Sequence, residues 1–78
     1  MNNTVVQTIK QQLVSLGVKG TFVAWDANSL KVSRGARGAI IEYDSAADLY
    51  NVTRYNGFDC KPVKKGVQVA DLKQAVGF

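Results

Sequence analysis

A chain of 78 residues with no histidine and one cysteine, Cys60, lacks the parts for most familiar catalysis. It has no imidazole base near neutral pH, no Ser-His or Cys-His nucleophile, no Cys/His zinc site and no internal disulfide. A hydrophobic content of 46% is too high for a disordered chain, and the length predicts one small α+β domain over 1–78. Ten basic residues against six acidic ones leave a net charge of +4, which permits nucleic-acid contact without requiring it.

The first predicted element is a helix. Val5, Val6, Ile9, Leu13, Val14 and Leu16 recur at three- and four-residue spacing and form one apolar stripe. Thr4 to Gln7 fits a capping box, and Gly17 is placed to stop the helix in a left-handed conformation. The polar face, Gln7, Thr8, Lys10, Gln11, Gln12 and Ser15, carries a single charge, which is few for a solvated helix. The opening Met1-Asn2-Asn3-Thr4 has no basic segment leading into an apolar run, and no apolar stretch nears the roughly 20 residues of a membrane span. The expected setting is therefore cytoplasmic, with no membrane contact. The glycosylation sequons at Asn2 and Asn51 count as coincidence in that setting.

From Thr21 to Val63 the pattern turns to strands. Thr21–Trp25 is β-branched and aromatic, and Asp26–Ser29 has turn chemistry. Leu30–Arg34 alternates, Gly35–Gly38 breaks the chain, and Ala39–Asp44 and Leu49–Tyr55 follow as strands. Asn56-Gly57 predicts a two-residue hairpin turn. Phe58–Val63 returns as an edge strand marked by Pro62. After Lys64-Lys65-Gly66, the spacing of Val69, Leu72 and Val76 predicts a short helix stopped by Gly77. The expected fold is an N-terminal helix, an antiparallel meander of four to five strands and a short C-terminal helix, with both helices on one sheet face.

A turn at Asn56-Gly57 pairs Tyr55 with Phe58, Arg54 with Asp59 and Thr53 with Cys60. A three-residue loop between Asp44 and Asp48 then carries the parity back to the preceding strand. On this register Ala39, Ile41, Tyr43, Leu49, Tyr55, Phe58 and Cys60 face the helices. Ile40, Glu42, Tyr50, Val52, Arg54, Asp59 and Lys61 face outward. The loop sets two aspartates against each other, and a four-residue loop would flip the face assignment of the earlier strand.

No catalytic residue, metal site or cofactor is expected. Ser33-Arg34-Gly35-Ala36-Arg37-Gly38 offers two arginines on a glycine-flexible loop that can grip phosphate or a partner; the plainer reading is a hairpin turn with solubilising charges. Lys64-Lys65 before the last helix would favour an anion there; the plainer reading is a solvated loop. The meander puts Lys19, Arg34, Arg37 and Arg54 near one end of the sheet and Lys64 and Lys65 at the other, so the two groups should not merge. Ile40, Tyr50 and Val52 on the outer face form a candidate apolar contact patch.

The helix–strands–helix order, with Lys64-Lys65 ahead of the last helix, resembles the double-stranded-RNA-binding domain, but the Gly-Pro-x-His type of loop is absent. The same order resembles small HicA-like RNA-cleaving toxins, whose catalytic histidine has no counterpart here. Both are likenesses of element order only. The functional expectation is a small non-enzymatic intracellular protein acting through protein–protein contacts, in the manner of phage or mobile-element modulators, with self-association open. The alternative is a nucleic-acid-binding module using the Arg/Gly hairpin loop.

Overall fold

The computed structural model describes residues 4–77. Helix α1 (Thr4–Ser15) leads into a six-stranded antiparallel sheet of β1 (Thr21–Asp26), β2 (Ser29–Arg34), β3 (Arg37–Asp44), β4 (Leu49–Asn56), β5 (Asp59–Cys60) and β6 (Lys64–Val67). A 3-10 turn at Val69–Asp71 runs into α2 (Leu72–Val76). The strands meander in order β1-β2-β3-β4, and β5 and β6 share the far side of β4. The expected α+β class and element order hold. No helix among the described residues is long and apolar enough to cross a membrane.

Helix α1 ends as its sequence predicts. Gly17 takes φ +86°, its N–H donates to the Val14 carbonyl, and the Val18 N–H donates to the Leu13 carbonyl. That pair of bonds is a Schellman motif, closed by the buried Leu13 and Val18. At the other end Thr4 is already helical, so it does not stand at the cap position expected for it. Gly77, at φ +85°, closes α2 through its N–H to the Lys73 carbonyl.

The core lies between the helices and one sheet face. Cross-strand rows build that face: Phe22, Val32 and Ala39; Ala24, Leu30, Ile41 and Val52; Tyr43, Tyr50 and Val67. Val6, Ile9 and Leu13 of α1 and Leu72, Ala75 and Val76 of α2 cover it. Fully burying each such valine, leucine or isoleucine contributes about 1.5–3 kcal/mol relative to leaving it exposed.

Two turns differ from the expected register: the first moves side chains across the sheet, and the second slides β5 by two residues along β4 without changing its faces relative to β4. The β3–β4 connection has four residues, Ser45–Asp48, and pairs Asp44 with Leu49. The Asp44 carboxylate accepts from the Ala46 and Ala47 amides (3.1 and 3.4 Å), and Asp48 adopts a left-handed φ of 54°. Aspartate tolerates both roles, and the longer loop keeps the two carboxylates out of register. One extra residue reverses β4. Tyr50 and Val52, expected outside, are therefore core residues (5% and 1% exposed), while Leu49 and Tyr55, expected inside, lie on the other face.

The β4–β5 turn is Gly57-Phe58, so Asn56 pairs with Asp59 and Tyr55 with Cys60. Gly57, at φ +62°, supplies the positive first position of a II′-type turn, and its N–H donates to the Ala36 carbonyl of the neighbouring hairpin. Phe58, expected in the core, is fully exposed at the tip, and Cys60 is exposed on the edge. Arg54 and Asp59 are exposed, but they do not pair and, with β4 reversed, they lie on the helix side of the sheet rather than on the outer face expected for them. The last expected strand breaks at Pro62, and Lys64-Lys65 lie in β6 rather than in a loop before a helix. That placement removes the lysine-led helix start on which the RNA-binding-domain likeness rested.

Candidate functional site: the open sheet face and the basic end

Both helices pack on one face, so the other face of the sheet is uncovered. Three rows cross it: Thr21, Ser33, Gly38, Tyr55 and Cys60; Val23, Lys31, Ile40 and Thr53; Asp26, Ser29, Glu42 and Asn51. A bulge in β1, between the Ala24–Leu30 and Asp26–Ser29 pairs, inserts Trp25 as an extra residue. Trp25 is 55% exposed and lines a shallow trough of about 390 Å³ with Ile40, Thr53, Val63 and Lys65.

Lys31 organises this face. Its Nζ lies 5.3 Å from the centre of the Trp25 ring and 5.4 Å from that of Tyr55. Both rings present a negative π-face to the ammonium, an attraction worth about 0.5–1 kcal/mol each at such half-open sites. Tyr55 in turn lies across Gly38: a Cβ there would stand 2.2 Å from the ring, so only glycine lets the ring lie flat on the strand. The result is a fixed aromatic pair holding one cation between them, ringed by Val23, Ile40 and Val63.

The basic residues gather elsewhere. Arg34 and Arg37 face each other across the Gly35-Ala36 turn, with Gly35 at φ +65°. Arg54 and Arg37 lie on the helix side, and a hollow of about 150 Å³ is lined by Arg37, Arg54 and Lys61. Part of their role is structural. Arg37 Nη2 donates to the Gly77 carbonyl at 3.3 Å, and the Arg54 guanidinium lies against Gly77. Cations there suit the carbonyl-rich end of α2. Lys19, two residues before β1, is exposed at the same end. Lys64 pairs with Val52, two residues along β4 from Arg54 and three residues beyond Lys61 of the basic hollow, so it lies nearer that hollow than the opposite-end placement expected from sequence, and Lys65 borders the Trp25 trough.

Of the apolar contact residues read from sequence, only Ile40 stays on the uncovered face; Tyr50 and Val52 pass to the core with β4. Trp25, Lys31 and Tyr55 were missed. A signal existed for Lys31, since the alternation Leu30-Lys31-Val32 sets it opposite two buried aliphatics. Tyr55 was hidden by the one-residue turn shift.

A second hollow, about 340 Å³, opens at the acidic end between α1 and the β3–β4 turn, lined by Gln12, Tyr43, Asp48, Tyr50 and Val69. The Tyr43 hydroxyl donates to Asp48 Oδ1 (2.6 Å) and the Tyr50 hydroxyl to Gln12 Oε1 (2.5 Å). The Tyr43 pKa is raised by its hydrogen bond to the carboxylate, with desolvation adding to it; that of Tyr50 is raised chiefly by burial. Among the described residues no group of three acidic or thiol side chains is arranged to hold a metal ion.

The chain matches no family model, no curated protein and no solved structure.

Proposed function

We propose that this chain is a small intracellular binding protein without catalysis of its own, which acts by docking the open face of its sheet onto another protein. The observation that carries the reading is Trp25, half exposed beside Tyr55, Ile40 and Val63 on a face that no helix covers. Tryptophan and tyrosine at the centre of an apolar patch are the residues that most often anchor protein interfaces. The charges on that face balance, Lys31 and Lys65 against Asp26 and Glu42. Nucleic-acid platforms need a positive excess along the backbone track. A modulator role of the phage or mobile-element kind belongs to the same reading.

The test is affinity capture from native lysate with wild type, Trp25→Ala and the double variant Arg34→Ala/Arg37→Ala, each with and without nuclease. A discrete partner should survive nuclease, be lost at least about tenfold with Trp25→Ala, and persist with the arginine variant. A partner indifferent to Trp25 would sink this reading.

The clustering of Arg34, Arg37, Arg54 and Lys61 at one end favours a second reading, phosphate contact by the hairpin tip. Arg34→Ala/Arg37→Ala should then lower nucleic-acid affinity and shrink the log–log salt slope by about one to two units. Absence of any salt-dependent binding by wild type to DNA or RNA at low ionic strength ends that reading.

A further inference from the structure

The two lateral edges of the sheet are built differently. At the β4 side the edge breaks between β5 and β6 at Pro62, which has no amide hydrogen, and Lys61, Lys64 and Lys65 line it. These are standard devices against strand addition. The opposite edge is β1, bonded to β2 on one side and, among the described residues, to no strand on the other. Thr21–Asp26 contains no proline, lysine or arginine, its single charge is Asp26 at the end, and its one guard is the bulge at Trp25. Val23 and Trp25 are 48% and 55% exposed. A bare, β-branched and aromatic edge is a template for another strand.

We propose that β1 pairs with β1 of a second copy of this chain, antiparallel, about a two-fold axis through Val23 perpendicular to the sheet. Side-chain parity selects the register. Residues opposite each other in antiparallel strands share a face, so only pairings of like-facing residues keep both sheets the same way up. Centred on Val23, the open face gains a Val23–Val23 contact. The helix-covered face gains Phe22 against Ala24 of the second copy, and Asp26 overhangs the paired segment. No like charges meet. Centring on Ala24 instead carries Asp26 toward the half-buried Phe22.

Helix α1 extends the same surface. Lys10 Nζ lies 5.8 Å from the Phe22 ring centre, which places that side of the helix beside the β1 edge. Gln7, Lys10, Gln11, Val14 and Ser15 line one shallow depression, and Val14 is 55% exposed. An isologous contact must tolerate its own image, and a helix side with one charge and an exposed valine does so. Strand pairing alone falls short of the roughly 800 Å² per partner of a standard interface; the α1 side supplies further area. The dimer leaves the open sheet face uncovered and makes the two faces continuous, so it stands apart from the reading of what that face binds.

Sedimentation velocity from about 5 to about 500 µM spans the affinities such a modest interface supports. Wild type should move from the mass of the 8.5 kDa chain to twice that mass. Val23→Lys sets two ammonium groups on the axis and should hold the chain monomeric, with its fold checked by circular dichroism. Thr53→Lys, on the open face but remote from β1, should leave the dimer intact. In a Cys60→Ser background, Val23→Cys should cross-link under mild oxidation, because the axis brings the two side chains within disulfide reach; Val63→Cys in that background should not. A chain monomeric throughout the range overturns the proposal. So does a dimer that survives Val23→Lys, a dimer broken by Thr53→Lys, or cross-linking at position 23 no faster than at position 63. Should Val23→Lys fail to fold, the Thr53→Lys and cross-linking comparisons decide.

Discussion

Ile40 and Ile41 are neighbours on β3, identical in chemistry and opposite in surroundings. Ile41 is fully buried under the helices between Leu30 and Val52, whereas Ile40 stands on the uncovered face between Lys31 and Thr53. The pair samples the two faces of one sheet at one place in the chain. The covered face is a closed aliphatic layer whose residues hold the fold. The open face is a mixed layer of aromatic rings, β-branched side chains and one caged lysine, which the core does not need. Strand parity alone assigns a side chain to stability or to exposed chemistry here, so a one-residue error in a turn exchanges the two roles.

The largest expected effect tests this division directly. Ile41→Ala should cost about 2–5 kcal/mol, since it opens a cavity in a small core. Ile40→Ala should cost less, about 0.5–2 kcal/mol, since its side chain is only partly buried and its loss leaves no enclosed cavity. Urea denaturation of both variants at low protein concentration gives the ratio. Comparable losses would break the comparison and mean that the open face is covered in solution.

The next effect sharpens the picture of the open face. Gly38 is buried although it belongs to that face, because the Tyr55 ring lies across it. Gly38→Ala adds one methyl group and must push the ring away, which should cost about 1–3 kcal/mol. It should also part Tyr55 from Lys31, visible as a change in the tyrosine ring resonances. A Gly38→Ala variant as stable as wild type, with unchanged ring resonances, would show that the aromatic pair is not fixed.

A smaller, pH-dependent effect belongs to the covered face. Tyr43 and Tyr50 both titrate above the ordinary tyrosine value near 10. The fold therefore prefers their protonated forms, in which each hydroxyl donates its hydrogen bond. With folded-state values raised, their contribution is fully present below about pH 10 and is lost as pH climbs through the raised values. The melting temperature should fall along that alkaline limb. Tyr43→Phe/Tyr50→Phe should flatten the limb, and an unchanged slope would show that other groups govern it.

Much of the fold could be read from the chain, for physical reasons that can be named. Helix α1 was legible because its stripe and Gly17 act locally, and the Schellman bonds follow from them. The meander was legible because each turn carries glycine or aspartate chemistry. Loop length was not. Whether Asp44 pairs with Asp48 or Leu49 depends on two amide bonds to Asp44 and on a left-handed Asp48, energies too small and too local to see in a pattern of residue types. From that one residue came the exchange of Tyr50 and Val52 for Leu49 and Tyr55. The site was less legible still. Trp25 owes its position to a bulge, and the Arg37 and Arg54 contacts to Gly77 join residues far apart in the chain.

The smallest expected effect lies at the rim of the open face. Read from sequence, Cys60 packs in the core; in the structure it is exposed in β5, opposite Tyr55. A buried thiol would react slowly in the native protein and quickly in denaturant. An exposed one should react at nearly the same rate in both, so Ellman's reagent distinguishes the two placements in one experiment. Cys60→Ala should change stability by no more than about 0.5 kcal/mol, the usual range for an exposed position that packs against little. Strong native protection of the thiol would return Cys60 to an interior. Because Tyr55 shares its row, that result would also reverse β4 and β5 and undo the division of the two faces. Rapid native labelling keeps Cys60 and, through their shared row, Tyr55 on the open face beside Lys31.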